Sequence, residues 1–361
     1  MGKISSFEYN TLIWFVMRAG YIGLSLSNVL NITKQDSYLG GFVALILGLI
    51  PLGIFIYLRN YDKEKNIGQL NIHLFNKFGK IINIFLIVGA LIFVQITFID
   101  LVYFINSQFL FKTKYIFIAI AFIIPVIYAI YKGINAISKT SLLMFFFVVF
   151  IVLCIILGVF RGIDLNNLKP FLESTPNDLI HVSLIIIAYN ILPIFFLTII
   201  PKKDITNYSP KKTLLFYIFA LLTLINASFL TISIFGVNLS LLYEYPEFHV
   251  LKKVEMGDFV DRVETIFSLE WIIALVLLII IIMYFIKEMI KTTFKTKEKT
   301  NRTIIFVFCL LIIITGPRLF ITNATAHVFL KGPMLYIMFT FFLLIPLIIM
   351  IKAILEKHLH N

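Results

Sequence analysis

The chain has 361 residues, 60% of them apolar and only 14% charged, and its mean hydropathy is +0.99. Soluble globular chains are nearer ~45–50% apolar and ~25% charged, so a water-soluble domain is excluded as the main body. The net charge of +12 has no soluble basic domain to carry it, which excludes nucleic acid as the expected partner and points to anionic lipid.

Apolar residues come in runs of roughly 20, the length that crosses ~30 Å of hydrocarbon. The runs are apolar all the way round, as helices facing lipid or other helices must be. Alternating strands of ~10 residues, the signature of a membrane barrel, do not occur. The predicted fold class is therefore an all-α integral membrane protein with about ten transmembrane helices in a single transmembrane domain. In chain order the spans are expected at 9–30, 38–58, 81–105, 115–131, 141–160, 180–200, 212–236, 264–288, 303–321 and 333–352.

Three connections carry patterns of their own. Residues 64–80 place Ile67, Leu70, Leu74 and Phe78 at helical spacing, which predicts an amphipathic helix lying in the membrane interface. Residues 162–179, with Pro170 and Pro176, read as an irregular hairpin arm. Residues 243–264 are acidic and read as a helix–turn–helix over one membrane face. No short h-region with a cleavage site follows Met1, so no removable signal peptide is expected. Twenty of the 31 Lys and Arg fall on the N-terminal side of the spans and ten on the other, which predicts both termini in the cytoplasm.

Two spans are interrupted. The first holds Gly20 and Gly23 in mid-span, followed by Ser25 and Ser27. Glycine there lowers the cost of unwinding and lets a ligand approach the backbone. The sixth reads Ile187, Ala188, Tyr189, Asn190, Ile191, Leu192, Pro193, where proline removes a helix hydrogen bond beside two polar side chains. First and sixth are corresponding members of two five-helix halves, about 9–160 and 180–352. Breaks at matching positions of inverted repeats point to a ligand site at the bilayer midplane. The expected ligand-binding residues are Ala19, Gly20, Tyr21, Ile22, Gly23, Tyr189 and Asn190, completed by Gln95 and Phe267, with Ser25 and Pro193 as break or gating positions. Glycine in close helix packing is the competing explanation.

Other polar groups are few. Asp100 is expected near the outer end of the third span, half hydrated. Arg18 is expensive at depth without a partner, and sequence alone names none. Ser268, Glu270 and Trp271 open the eighth span, with Trp271 read as an interfacial anchor. Cys154 and Cys309 sit in apolar runs and read as small core residues. His73, His181, His249 and His327 are too scattered for ligand spacing, so no metal site and no cofactor are expected. No P-loop, nucleophile-elbow or zinc-protease motif occurs, and the chain is not expected to be an enzyme.

The stretch Tyr243, Glu244, Tyr245, Pro246, Glu247, Phe248, followed by Val254, Gly257, Asp258, Phe259, Arg262 and Glu264, resembles the hallmark of the B subunit of GerA-type spore germinant receptors. That family shows a Y-P-x-F element and then I-x-x-G-D-F-[IL]-x-R-[LV]-[DE] leading into the eighth helix. Pro246, Phe248, Gly257, Asp258, Phe259, Arg262 and Glu264 match it. Leu24, Ser25, Leu26 and the pair Gln35, Asp36 match its beginning, although Ser27 stands where the family has proline. The resemblance covers essentially the whole chain. It implies the amino acid–polyamine–organocation superfamily and a LeuT-like five-plus-five inverted repeat with helices 1 and 6 broken. It also implies a small germinant, often an amino acid, and partnership with a membrane A subunit and a lipoprotein C subunit in the spore inner membrane. The acidic stretch 243–264 is expected to act as a lid or partner surface. The alternative reading is a secondary amino-acid transporter of the same fold.

Overall fold

The computed structural model describes residues 2–253, 263–319, 329–330 and 332–359. The motif residues Gly257, Asp258, Phe259 and Arg262, and the Ile22 side chain, lie outside the described part.

Among the described residues nine helical stretches are long and apolar enough to cross a membrane. The first, Ser6–Tyr61, has 56 residues, about 84 Å if straight. It turns back at Lys34, whose backbone is left-handed (φ 48°), and so supplies two spans, making ten. Span 1 occupies residues 6–33 and span 2 residues 37–61. The remaining spans are Lys77–Gln108, Tyr115–Lys132, Ile134–Val159, residues 176–199, Pro210–Leu242, residues 263–294, Glu298–Leu319 and residues 333–359. Each agrees with its expected position to within a few residues at most ends.

The local reasons are legible in most cases. Ser5 caps span 1 reciprocally with Glu8, the capping box that satisfies two free backbone donors. Pro176 stands in the first turn of span 6, behind the Thr175 cap, where its missing N–H is harmless. The amphipathic helix forms at Ile67–Phe75 and buries Ile67, Leu70 and Leu74. Phe78 is a correction to the expected stripe: the helix stops at Asn76 (φ 52°), and Phe78 belongs to span 3, 72% exposed on a face suited to lipid.

Burial sorts the spans into a core and a shell. In span 6, 94% of the most apolar window is buried, against 28% in spans 4, 5 and 10. Span 1 is buried almost continuously from Tyr9 to Ala19. It packs on spans 5, 7 and 8, while span 2 packs on span 6 and span 3 on span 8.

At the face opposite the N-terminus, the Gln35–Asp36 pair clasps the hairpin arm. The Asp36 carboxylate accepts the backbone N–H of Leu172 (3.0 Å) and Ser174 (2.8 Å). Gln35 donates to the Pro170 carbonyl (3.0 Å) and to Glu173 (2.8 Å). Hydrogen bonds to a charged group each contribute ~1.5–3 kcal/mol. Asp36→Ala is therefore expected to lower the thermal stability of the purified protein strongly, and Asp36→Asn only part of the way. Equal melting of all three forms would show that the clasp is incidental.

At the N-terminal face, Ile4–Ser5 pairs in parallel with Ile205–Thr206, tying the chain start to the segment after span 6. Arg59 of span 2 sits between two rings, 4.3 Å from the Tyr9 centroid and 5.5 Å from that of Tyr208. It donates to the Leu197 carbonyl (3.3 Å), which also accepts from the Tyr9 hydroxyl (3.4 Å). Spans 1, 2 and 6 are thereby sealed together at this end.

Candidate functional site

Both predicted interruptions are present. Span 1 is regular from Ser6 to Ala19, loosens into a wide π turn over Tyr21–Ser25, and resumes as helix at Leu26–Thr33. Gly23 takes φ +78°, a left-handed backbone that only glycine visits freely. Span 6 changes from α-helix to a π turn at Ile187–Ile191 and then to a tight 3-10 helix at Leu192–Ile199. Pro193 enters at the start of that last piece, where its ring can be accommodated.

The two breaks pack directly on each other. Gly20 lies against the Tyr189 carbonyl, so close that a Cβ would collide with it. Asn190 donates to Ser25 (3.3 Å) and to the Ile186 carbonyl (3.1 Å). The Tyr189 hydroxyl donates to the Leu330 carbonyl (2.6 Å). Tyr21 shares a hydrogen bond with Ser228 of span 7. Ala19, Tyr21, Tyr189 and Asn190 are all fully or almost fully buried, so the two breaks are closely packed where these side chains meet.

The open space lies on the other side of span 1. A cavity of about 640 Å³, its mouth included, is bounded by Arg18, Phe104 of span 3, Ile155 of span 5, Asn226 of span 7, Glu247 and Phe267. The walls are mainly apolar, with a few polar groups, the usual composition of a small-ligand pocket. Of the residues expected to complete the ligand site, Phe267 lines this cavity. Gln95 does not: it donates to the Ile312 carbonyl of span 9 (3.1 Å) and accepts from Thr315 (3.1 Å).

Three ionisable groups, none of them among the expected ligand-binding residues, adjoin the break. Arg18 forms a buried ion pair with Glu270 of span 8, and its guanidinium lies 4.6 Å from the Trp14 centroid. Asp100, expected to be half hydrated near the outer end, instead presses its carboxylate on the break: a Cβ on Gly23 would lie 2.6 Å from both of its oxygens. Its Oδ2 is shut from solvent without a hydrogen-bond partner among the described residues. Glu247 belongs to a short helix, Pro246–Leu251, that covers the cavity. It is 8% exposed, and both of its oxygens lack a hydrogen-bond partner among the described residues. The Gly23 N–H faces it without closing to hydrogen-bonding geometry. Burial pushes the Glu247 carboxyl up to about 8, and burial raises Glu244 too.

Trp271 is a second correction. It is no interfacial anchor, being 4% exposed and packed edge-on against Phe104 at 3.9 Å between centroids. Phe104 also meets Tyr245 (5.0 Å) and Phe248 (5.4 Å), so the Y-P-x-F element docks its aromatic rings onto spans 3 and 8. Pro246 opens the covering helix. Glu264 lies at the start of span 8, in the short helix Val263–Phe267. The signal for this region was the motif itself, and hydropathy carried none.

Among the described residues no group of three His, Cys, Asp or Glu side chains could hold a metal ion.

The architecture is that of LeuT-fold transporters. A histidine-to-alanine mutant of an Eremococcus coleocola manganese transporter superposes with TM-score 0.57 at 12% identity, over 96% of this chain and 77% of that one. A glutamate-to-glutamine mutant of the same transporter gives 0.56 at 13% identity, with the same coverage. Its complex with an aromatic bis-isothiourea substituted compound gives 0.55 at 12% identity, over 92% and 75%. At such identity the likeness shows the fold alone. No curated protein matches the sequence. The family model described as spore germination protein matches residues 3–324, nearly the whole of a chain whose described residues form ten spans with paired breaks in spans 1 and 6, and the protein belongs to that family.

Proposed function

We propose that this protein is the ligand-sensing membrane subunit of a spore germinant receptor. It takes a small germinant, an amino acid, at mid-depth beside the span 1 break and passes the event to an A subunit and a lipoprotein C subunit. The membrane is the spore inner membrane, with both termini on the core side. The single domain divides into repeats at about 9–160 and 180–352.

The observation that carries the reading is the pairing of one covered cavity with one sealed end. Arg18, Phe104, Glu247 and Phe267 enclose a space for a small molecule, while Arg59, Tyr9 and Leu197 close spans 1, 2 and 6 at the N-terminal face. A ligand that fits the covered state better than an open one shifts the equilibrium between them by its difference in affinity. Gly20, Tyr21, Gly23, Ser25, Tyr189 and Asn190 lie where that shift would be felt by span 6. Ala19 precedes the same turn and Ile22 lies within it, and Pro193 starts the half of span 6 that leads to the sealed end.

The fold favours a second reading, because its solved relatives are transporters: a secondary amino-acid permease. One comparison separates the two. Spores lacking this gene should lose their response to particular amino acids and regain it on complementation, while vesicles holding the protein accumulate no labelled amino acid. Normal germination of the deletion strain together with uptake into vesicles would establish the permease instead.

A further inference from the structure

The cavity wall contains two unsatisfied groups, one acid and one cation. Glu247 presents a carboxyl group neither of whose oxygens has a hydrogen-bond partner among the described residues, and Arg18 has an Nη1 in the same condition. Both side chains are about nine-tenths buried and both belong to the wall of one small cavity. A buried polar atom without a partner is strongly unfavourable, and such groups persist where another molecule completes them. Arg18 is half committed: its Nη2 meets Glu270 and its face meets Trp14, which fixes the guanidinium and leaves the remaining edge to a carboxylate.

We propose that the cavity recognises both poles of one zwitterion, its ammonium on Glu247 and its carboxylate on Arg18 Nη1. This inference deepens the sensing function above and rests on it for the location of the site. The short helix Pro246–Leu251 then supplies half of the recognition as well as the cover. Ligand would join it to span 1 through two ion pairs, and a molecule with only one pole would make one of them and leave the other wall group without a partner.

The empty and filled states differ by a proton. Among the described residues, the groups near Glu247 are Asp100 from span 3, Tyr245 from its own segment, Tyr21 and the Gly23 N–H from the break, and Arg18 across the cavity. Arg18 is already paired with Glu270, so the empty site favours the protonated acid, with burial as the main cause. An ammonium group needs the carboxylate, and the Glu247 proton leaves to solvent as the ligand enters. Affinity is then expected to rise with pH up to about 8, where Glu247 titrates, and to level off above it.

The chain carries its own reporter. It has two tryptophans: Trp271 lines the cavity and Trp14 backs Arg18. Tryptophan fluorescence of the full-length protein in nanodiscs would be titrated with each of the twenty protein amino acids. The best of them would then be compared with its decarboxylated amine and its deaminated acid. At least one amino acid should saturate, with both half-ligands weaker by a hundredfold or more. Glu247→Gln, nearly isosteric, should weaken binding at least tenfold and abolish the pH dependence. No saturation by any of the twenty, half-ligands as tight as the parent, or an unchanged pH dependence in Glu247→Gln would each overturn the proposal. If Glu247→Gln does not fold, the half-ligand series on the unaltered protein decides alone. A gene required for germination by a sugar or nucleoside that saturates the fluorescence would sink the zwitterion and keep the receptor. Tight zwitterion binding with normal germination of the deletion strain would do the reverse.

Discussion

Gly23→Ala is expected to raise the germinant concentration needed for half-maximal response by ten- to a hundredfold. Two effects add. An L-residue in the left-handed region is disfavoured by ~1–2 kcal/mol, and Gly23 sits at φ +78°. The new methyl would also lie 2.6 Å from both Asp100 carboxylate oxygens, so the acid must move. Each ~1.4 kcal/mol is a factor of ten. The double variant Gly23→Ala with Asp100→Ala should recover part of the loss, because the collision goes and the backbone strain stays. Germination assays on spores with matched protein levels measure both. A response of Gly23→Ala equal to that of the unaltered protein would mean that the span 1 break plays no part in sensing.

Arg18→Met is expected to lower the amount of folded protein in the membrane severely. It strands Glu270 as a buried charge without its partner, and breaking a buried pair from one side costs ~3–5 kcal/mol. Glu270→Met strands Arg18 to similar effect. Replacing both by methionine removes both charges, and the protein level should return nearly to normal. The response to germinant should not return, since the cavity has lost its cationic edge. Detergent-resistant protein in spore membranes gives the first quantity and germination rate the second. A double variant that is both abundant and responsive would reduce the pair to a structural device.

Much of the fold was legible before any coordinates. Hydropathy alone places spans, because lipid-length apolar runs have few other uses. The break residues Gly20, Gly23 and Pro193 were legible because glycine and proline act through the backbone, which local sequence describes. What escaped was which neighbour each side chain meets. In a soluble protein polarity separates the outer face of a helix from the inner one, whereas here both faces are apolar. Ile266 is 49% exposed and Phe267 4%, yet nothing in their character separates them. The same blindness placed Trp271 at the interface and left Gln95 in the ligand site when span 9 holds it. Arg18 announced the need for a partner, but Glu270 lies 252 residues further along. The ligand site was expected between spans 1 and 6, and the cavity described above borders the other flank of span 1.

That separation also bears on how the protein is made. Arg18 belongs to span 1, and Glu270 is synthesised 252 residues later. At ~5–20 residues per second the interval is about 13–50 s. Throughout it span 1 carries an unneutralised guanidinium, worth ~2.5–3.5 kcal/mol against insertion at mid-membrane. The early intermediate must hold Arg18 toward water or at the insertion machinery until span 8 arrives. Assembly of the core is thus a late event in synthesis, and a chain stopped before Glu270 leaves its first span poorly anchored and open to proteolysis.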